Sequence, residues 1–313
     1  MNYLILDKRQ RVETKGKYSY VLTRLIEEME AMSIPYTIAY NEEIEIEMTE
    51  GGTKIYVQGV PIEEFSHIFF RGMRLDKPLE YETRRIIADY IDQYNLNNPQ
   101  SPIKVQNINS IKKLDYYDKI AITYLCVKNN IGIINTYYRP SISRNVKHEK
   151  IQFPSIVKQY AGENDLRNID GKDTIKKNVY LLNSHEDLNQ EYLKDKNLDE
   201  YILQEFIQSG EDFRVFVSRG KALAGFSRRA TKNFITVSSG EYSKVDLNER
   251  NDLKTFAEKV AKVFEADFMA VDMMMKDGQP VLQEISFNPG FKAFETKTNG
   301  EFINMAKIIL ESI

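Results

Sequence analysis

The feature that most constrains this chain is an apolar segment near its C-terminus, FMAVDMMMKDGQPVLQEISFNPGF, residues 268–291. An Asp-Gly pair between two apolar runs is a strong hairpin signal, so the segment predicts two antiparallel strands joined at Asp277-Gly278. Such a hairpin brings Asp272 and Glu284 to the same end of the ribbon. Two hard carboxylates that close suit Mg²⁺, which keeps its other positions for water and substrate phosphates. The pattern indicates a nucleotide enzyme, although an edge hairpin with two solvent-facing acids would look the same.

Length and charge exclude several other classes of protein. With 313 residues, 42% hydrophobic and 28% charged, the chain can bury a large core in two or three domains. The net charge is −3 and the lysines are spread out, so no surface for nucleic acid is expected. The single cysteine, Cys126, lies in an apolar run and excludes an intrachain disulfide. No stretch approaches the roughly eighteen apolar residues of a membrane span, so we expect a soluble, cytoplasmic protein.

Strand and helix patterns alternate from the start of the chain, which predicts an α/β fold. Residues 1–106 are expected to form a small N-terminal α/β domain. Its predicted elements, in order, are a strand at 2–7, a helix at 20–32, an extended run from Pro35, a hairpin around Gly51-Gly52, a buried strand at 65–72, an amphipathic helix at 79–95 and a short strand at 103–107.

Two further lobes are predicted, a central one at 107–199 and a C-terminal one at 200–313. The polar segment 161–178 separates two strands of the central lobe and predicts a lid loop. The other predicted elements are helical residues 110–130, the strands FPSIVKQY and NVYLLNS, a polar helix at 184–196, the strand YILQEFI, the hairpin DFRVFVSRGKALAGFSRRA, a helix at 248–264 and a closing helix from Thr298.

The chain lacks the glycine-rich motifs that hold phosphates through backbone amides. Neither G-x-x-x-x-G-K-[ST] nor G-x-G-x-x-G occurs, so phosphates would have to be held by side chains. The three histidines are scattered and support neither a zinc cluster nor a catalytic triad. The candidates for phosphate binding are Lys119, Lys158, Arg214, Arg228 and Arg229. Taken singly, each is typical of a surface charge except Lys158, because a lysine inside an apolar strand needs a compensating anion.

Residues 107–300 contain a series of segments that resemble, in the same order along the chain, those of the ATP-grasp carboxylate–amine ligases, and within that family the RimK-like branch. The resemblance implies an ATP-grasp fold of the α/β (α+β) class, with a small N-terminal domain followed by two lobes. The matching segments are Asn109-Ser110 with Asp118-Lys119 and Ile134-Asn135-Thr136, the strand FPSIVK, the hinge YILQEFIQSGEDFRVFV, the strand end FSRRA and the metal hairpin VDMMMKDGQPVLQEISFNPGF.

The resemblance also implies a nucleotide site between the central and C-terminal lobes. Two lysines would contact the phosphates of ATP, while hinge residues would hold adenine and ribose. The residues that match these positions are Lys119 and Lys158 for the phosphates, and Gln204, backbone groups of Glu205 and Ile207, and Asp212 for the nucleoside.

Metal and catalytic positions follow from the same resemblance. One or two Mg²⁺ ions, or Mn²⁺, would be bound by Asp272, Glu284 and Ser286. Arg214 and Arg228 would stabilise the transferred phosphoryl group and the tetrahedral oxyanion. The implied reaction activates a carboxylate as an acyl phosphate, which an amine then captures.

Two departures from the family pattern bear on this site. The family has a metal-binding asparagine two residues after the glutamate, and Ser286 stands there instead. We expect Ser286 to be a weaker ligand, which leaves the number of ions open. Asn288 occupies a position that usually holds a small residue before Pro-Gly, and the usual glycine-rich lid is replaced by the polar segment 161–178.

The substrates are less constrained than the nucleotide. Arg71 and Arg74 follow the buried strand at 65–72, at the carboxyl end where open α/β sheets bind ligands, and could hold a substrate carboxylate together with Asn288. A solvated loop with two basic residues would give the same sequence. We expect a carboxylate and an amine substrate, among them a peptide or protein, with neither nucleic acid nor membrane as partner, and an oligomer stays open. The alternative is a degenerate ATP-grasp protein that binds nucleotide without turnover.

Overall fold

The N-terminal domain is built on a parallel sheet, as the alternating pattern predicts. The computed structural model describes residues 2–8, 18–72, 78–138, 150–161, 165–169, 172–176, 179–229 and 241–313. The sheet order is β2-β1-β6-β7, all parallel, beside a small antiparallel sheet β3-β4-β5. The elements are β1 (Tyr3–Asp7), α1 (Tyr20–Ala31), β2 (Tyr36–Tyr40), β3 (Ile44–Thr49), β4 (Gly52–Val57), β5 (Val60–Pro61), β6 (His67–Phe70), α2 (Pro78–Asn97) and β7 (Lys104–Val105).

The central lobe carries an antiparallel sheet of order β12-β9-β13-β8. Strand β13 follows the boundary expected at residue 199, yet it hydrogen-bonds within this sheet, between β9 and β8. The elements are α3 (Ile108–Lys113), α4 (Lys119–Lys128), β8 (Thr136–Tyr137), β9 (Ser155–Gln159), β10 (Asp165–Ile169), β11 (Lys172–Lys176), β12 (Val179–Leu182), α5 (Glu191–Lys194) and β13 (Tyr201–Glu205).

Two predictions for this lobe were wrong. Strands β10 and β11 pair antiparallel where the sequence predicted a loop, and Asp170-Gly171 between them is the same dipeptide signal that predicts the acidic hairpin. The helix expected at 184–196 is instead a 3-10 helix, His185–Asn189, followed by the short α5. The Asp187 carboxylate accepts from the backbone amides of Asn183 and Ser184 and so caps the start of the first helix, while the extended backbone of Gln190 separates it from α5.

The C-terminal lobe is a twisted antiparallel sheet of order β16-β15-β14-β17-β18 covered by α6. The closing helix was predicted from Thr298, but Thr298 is extended and ends α7, while α8 begins after Asn304, whose side chain accepts from the Lys307 amide. The elements are β14 (Glu211–Ser218), β15 (Lys221–Arg229), β16 (Glu241–Val245), α6 (Asn251–Phe264), β17 (Phe268–Lys276), β18 (Gln279–Ser286), α7 (Lys292–Lys297) and α8 (Met305–Leu310).

The buried apolar residues show which parts of the chain share a core. One cluster joins the N-terminal sheet to α3, α4, α6 and the C-terminal sheet, and a second joins β1 and α1 to α7 and α8. The central lobe has a separate cluster around Val157, Leu182 and Leu203. The N-terminal domain and the C-terminal lobe therefore pack as neighbours together with α3 and α4, and the sheet of the central lobe has its own core.

Asn107 ties the N-terminal sheet to the acidic hairpin. It follows β7 in a left-handed conformation, with φ 60°, and is buried. Its side-chain amide donates to the carbonyls of Phe268 at 2.8 Å and Phe287 at 3.1 Å. Its side-chain oxygen accepts from the backbone amides of Asp267 at 2.8 Å and Phe268 at 3.1 Å. These contacts hold the start of β17 and the end of β18 against the N-terminal domain.

Candidate nucleotide and metal site

The two hairpin acids lie directly opposite each other. Asp272 on β17 pairs with Glu284 on β18, and the next pair is Met273 with Leu282, so Gln283 is an extra residue that forms a bulge. Opposed residues of an antiparallel pair project from the same face, which places the two carboxylates side by side. Asp277 and Gly278 have φ of 50° and 76°, as a two-residue hairpin turn requires. The predicted hairpin is confirmed.

Asp272 is held by arginines from the neighbouring strands. Arg214 on β14 is its cross-strand partner, and the Arg214 Nε and Nη2 atoms each lie 2.6 Å from one Asp272 oxygen. Arg228 on β15 approaches the same carboxylate at 3.5 Å through Nη2. Burial raises the pKa of Asp272, but the two guanidinium groups outweigh burial and hold it below its usual value. Asp272 is therefore an ionised carboxylate in a fixed position, with both oxygens bound by Arg214.

Asp212 forms a second ion pair beside the first. Its two oxygens accept from Arg228, with Nη2 to Oδ2 at 2.9 Å, and Asp212 is only 2% exposed. The pKa of Asp212 lies above its usual value. Burial is the main cause and the charge of Asp272 adds to it, while Arg228 opposes both. Its predicted role at the ribose stays a prediction, and in this arrangement both carboxylate oxygens are already bound by Arg228.

Two lysines approach Glu284 from the central lobe. Lys119 is the first residue of α4, which Asp118 caps by accepting from the amides of Ile120 and Ala121. The Lys119 ammonium lies 3.9 Å from Glu284. Lys158 lies on β9, and burial lowers its pKa to about 8, with Lys119 adding to the effect and Glu284 opposing it. The fold thus brings both predicted phosphate lysines to the acidic hairpin.

The hinge residues lie where β13 leaves the central sheet. Gln204 donates to Thr136 at 2.8 Å. The Glu205 carboxylate accepts from Asn135 at 2.8 Å and forms an ion pair with Lys276 at 2.6 Å. Ile207 follows, and its carbonyl accepts from the Ser209 amide at 3.0 Å. Glu205 thereby links the central lobe to the turn end of the acidic hairpin.

A shallow, solvent-open cleft lies between these elements. Three predicted site residues, Lys119, Gln204 and Glu284, line it. Sequence reasoning missed its remaining wall, which is mostly apolar: Ile122, Thr123, Ile133, Ile134, Leu282, Gln283 and Ile285. Spacing gives no signal for Leu282, because the bulge at Gln283 shifts the alternation of faces along β18. Polar groups at one end of an apolar cleft are typical of a small-molecule site.

The segment after the hairpin connects the site to the N-terminal domain. Arg71 donates to the Pro289 carbonyl at 3.1 Å, and the Asn288 side-chain amide donates to the Arg71 carbonyl. Ser286 Oγ lies 3.4 Å from the Asn288 side-chain oxygen. Arg71 is only 5% exposed, so the solvated-loop interpretation is wrong for it. Arg74 lies outside the described residues.

The residues present suit a metal ion carried by a nucleotide. In the described part of the chain, no group of three or more His, Cys, Asp or Glu side chains could hold a metal ion. Two carboxylates suffice for Mg²⁺ when phosphates supply further oxygens. Around Asp212, Asp272 and Glu284 stand four cationic side chains, which are Lys119, Lys158, Arg214 and Arg228. This positive excess fits a polyphosphate.

A family model for the RimK-like ATP-grasp domain matches residues 117–313. The chain belongs to the RimK-like ATP-grasp family. The expected fold class and the expectation of an ATP-dependent carbon–nitrogen ligase are confirmed at this level. ATP and Mg²⁺ are the cofactors typical of the family.

The chain is similar to ligases from several sources. It is 25% identical to the coenzyme gamma-F420-2:alpha-L-glutamate ligase of Methanococcus maripaludis, over 81% of this chain and 93% of that protein. Among solved structures it resembles the macrocyclase MdnC bound with precursor peptide MdnA from Microcystis aeruginosa, with a TM-score of 0.64, 14% identity and full coverage of both chains at 100%. The ATP-grasp ligase PsnB, complexed with minimal precursor, matches with a TM-score of 0.64 and 14% identity over 99% of this chain and 98% of that one.

Among the residues that the structure describes, no helix is both long and apolar enough to pass through a bilayer.

Proposed function

We propose that this protein uses ATP to join the carboxylate of one substrate to the amine of another, and that at least one substrate is an amino acid or a peptide. The observation that carries the proposal is the opposed pair Asp272 and Glu284, with Arg214 bound to one acid and Lys119 beside the other. The substrate class is supported by the glutamate ligase and the peptide-bound ligases that the chain resembles.

In this proposal, each part of the cleft has its own role. Asp272 and Glu284 hold one Mg²⁺ ion, which neutralises phosphate charge when bound, and Ser286 contributes at most weakly because its hydroxyl lies near Asn288. Lys119 and Lys158 hold the phosphates. Gln204, Glu205, Ile207 and Asp212 hold the nucleoside end, against the apolar wall of the cleft.

Catalysis is then mainly positioning and charge neutralisation. A substrate carboxylate accepts the γ-phosphoryl group, and an amine displaces phosphate from the resulting acyl phosphate. Arg214 and Arg228 are already fixed by Asp272 and Asp212, so their donors need little reorganisation as negative charge develops. Exclusion of water protects the acyl phosphate, and the hairpin β10–β11 is the proposed lid.

The test is an assay of ADP release with a panel of amino acids and peptides, repeated in hydroxylamine. A ligase gives acceptor-dependent ADP and, in hydroxylamine, a hydroxamate from the trapped acyl phosphate. Tight ADP binding without turnover on any acceptor would favour the degenerate nucleotide-binding protein, and a stable phosphorylated product would favour a phosphotransferase. Either outcome would overturn the proposal.

A further inference from the structure

Two buried arginines in the N-terminal domain have guanidinium nitrogens without partners. Arg71 is 5% exposed and Arg84 is 1% exposed. Each uses only its Nη2 atom in a hydrogen bond, Arg71 to the Pro289 carbonyl and Arg84 to the side-chain oxygen of Asn41. The Nε and Nη1 atoms of both are buried and lack any hydrogen-bond partner within the described chain.

Both groups meet at the carboxyl edge of the parallel sheet β2-β1-β6-β7. Arg71 directly follows β6, and Asn41 directly follows β2. Arg84 reaches this edge from α2, with its guanidinium carbon 5.1 Å from the centre of the Phe70 ring. Asp7 ends β1 between them, and its charge interacts with both arginines. Ligands of open α/β sheets bind at this edge.

Neighbouring acids do not satisfy these donors. Asp7 Oδ1 accepts from the Lys8 amide at 2.8 Å, and Glu80 Oε2 is itself buried without a partner. Unpaired donors on a buried charge are unfavourable, so the four unpaired nitrogens of these two guanidinium groups indicate an anion that completes the site. Arginine donors are well suited to a carboxylate.

The pair lies next to the acidic hairpin. Arg71 contacts the Pro289 carbonyl, while Arg214, which holds Asp272, contacts the carbonyl of Gly290 at 3.4 Å. Arg71 and Arg214 therefore contact adjacent carbonyls of the same segment, which places the pair beside the proposed catalytic site. The cations proposed for ATP lie on the other two lobes, which leaves this pair for the substrate.

We infer that Arg71 and Arg84 form a subsite for a substrate carboxylate that does not react, so that one substrate carries an acidic group besides its reacting group. The inference rests on the proposed function and specifies its substrate class. The carboxylate belongs either to a free acidic amino acid or to an acidic side chain within a peptide, and the two sources share the chemistry that the arginines recognise.

The experiment is a calorimetric titration of the intact protein without ATP. The probes are L-glutamate, compared with L-glutamine amide, which carries no carboxylate, and the capped peptide acetyl-Gly-Glu-Gly-amide, compared with its glutamine counterpart. The inference predicts that at least one acidic probe binds and that its glutamine counterpart binds about tenfold to a hundredfold more weakly, because charged hydrogen bonds are lost. Equal affinity for the acidic and neutral members of both pairs, or no binding of any probe, would overturn it.

Variants assign the binding to these two side chains. Arg71→Met and Arg84→Met should each weaken the acidic probe by about tenfold or more while leaving its glutamine counterpart unchanged. Arg85→Met is the matched control, since Arg85 follows Arg84 on α2 but faces Glu82 at 3.8 Å and Asp115 at 4.0 Å. Unchanged glutamate and peptide affinity in both test variants would contradict the inference.

Thermal unfolding separates this subsite from a purely structural role. The charge of Arg84 also interacts with those of Glu80 and Asp7, so melting of Arg84→Met without ligand measures how much Arg84 contributes to stability. A lower melting temperature with intact acidic-probe binding would assign Arg84 to structure and overturn the inference. If acidic probes fail to bind while acceptor-dependent ADP release persists, the inference fails and the proposed ligase function stands.

Discussion

The arginines of the acidic sheet differ from those of the N-terminal sheet. Arg214 binds both oxygens of Asp272, and Arg228 binds both oxygens of Asp212, so charge in the C-terminal lobe is compensated by fixed partners. Arg71 and Arg84 are more deeply buried but leave their Nε and Nη1 atoms unpaired. The first pair is preorganised by the protein, and the second is completed by a ligand.

The largest effect is expected when an acid is removed from the C-terminal sheet, where the arginines have fixed acidic partners. Glu284→Gln deletes one proposed metal ligand and leaves Lys119 without its acidic neighbour. We expect ATP turnover to fall by about a thousandfold or more, because metal-assisted phosphoryl transfer loses a ligand while the hairpin and the fold remain. Steady-state ADP release measures the loss, and circular dichroism checks the fold.

Glu249→Gln is the matched control, since it makes the same substitution at an exposed acid that is not a proposed metal ligand. It should keep wild-type turnover. Near-normal activity in Glu284→Gln would exclude Glu284 as a metal ligand.

The connection between the two regions depends on Asn107. Asn107→Ala removes four side-chain hydrogen bonds to the backbone of 267, 268 and 287 and keeps a left-handed conformation that alanine disfavours. We expect the free energy of unfolding to fall by about 3 kcal/mol, measured by urea denaturation.

Asn107→Gly separates the two causes. Glycine adopts positive φ freely, so this variant should lose the hydrogen bonds alone and fall between wild type and Asn107→Ala. If Asn107→Ala retained wild-type stability, the side-chain contacts would not hold the two regions together.

A substitution at Arg214 tests whether its positive charge is enough without its two-point hydrogen bonding. Arg214→Lys keeps a cation but loses the two-point contact with Asp272, since a lysine ammonium cannot reproduce a planar fork. We expect kcat to fall by about a hundredfold with a smaller change in KM, because the donor is needed most as negative charge develops. An unchanged kcat would show that only net charge matters there.

The smallest expected effect is a pH dependence of ATP use that comes from Lys158. Burial lowers the pKa of this lysine to about 8. A lysine binds phosphate when protonated, and the protonated fraction falls as pH rises through the pKa. At constant ionic strength, kcat/KM for ATP should therefore fall about tenfold between pH 7 and 9. In Lys158→Arg this fall of kcat/KM with pH should become smaller, because arginine stays protonated. A fall that persists in the arginine variant would assign the titration to another group.

The acidic hairpin and the order of elements were predictable because their signals are local. An Asp-Gly turn between apolar runs specifies the register that opposes Asp272 and Glu284, and apolar spacing places the main strands and helices. Interruptions that no glycine or proline signals were not found. Gln190, for example, has an extended backbone and divides the helix expected at 184–196.

Partners that are distant in sequence limited the prediction of the site. The pairing of Asp212 with Arg228 depends on the register of β14 and β15, and the apolar wall of the cleft comes from two lobes. Arg84 was missed although a signal existed, since it falls on the same helical face as buried Tyr81, Ile87 and Ala88. An arginine on an apolar helix face needs a compensating anion for the same reason as Lys158 in its apolar strand.

The central claim is that the opposed acids of the C-terminal hairpin hold the metal of a nucleotide clasped between the lobes. A crystal structure of the protein with Mg²⁺ and a non-hydrolysable ATP analogue tests it most directly. The account predicts Mg²⁺ bound by oxygens of Asp272 and Glu284 at about 2.1 Å and by phosphate oxygens of the analogue, with Lys119 and Lys158 on the phosphates. A nucleotide bound elsewhere, or bound in the cleft with its metal away from both acids, would contradict it.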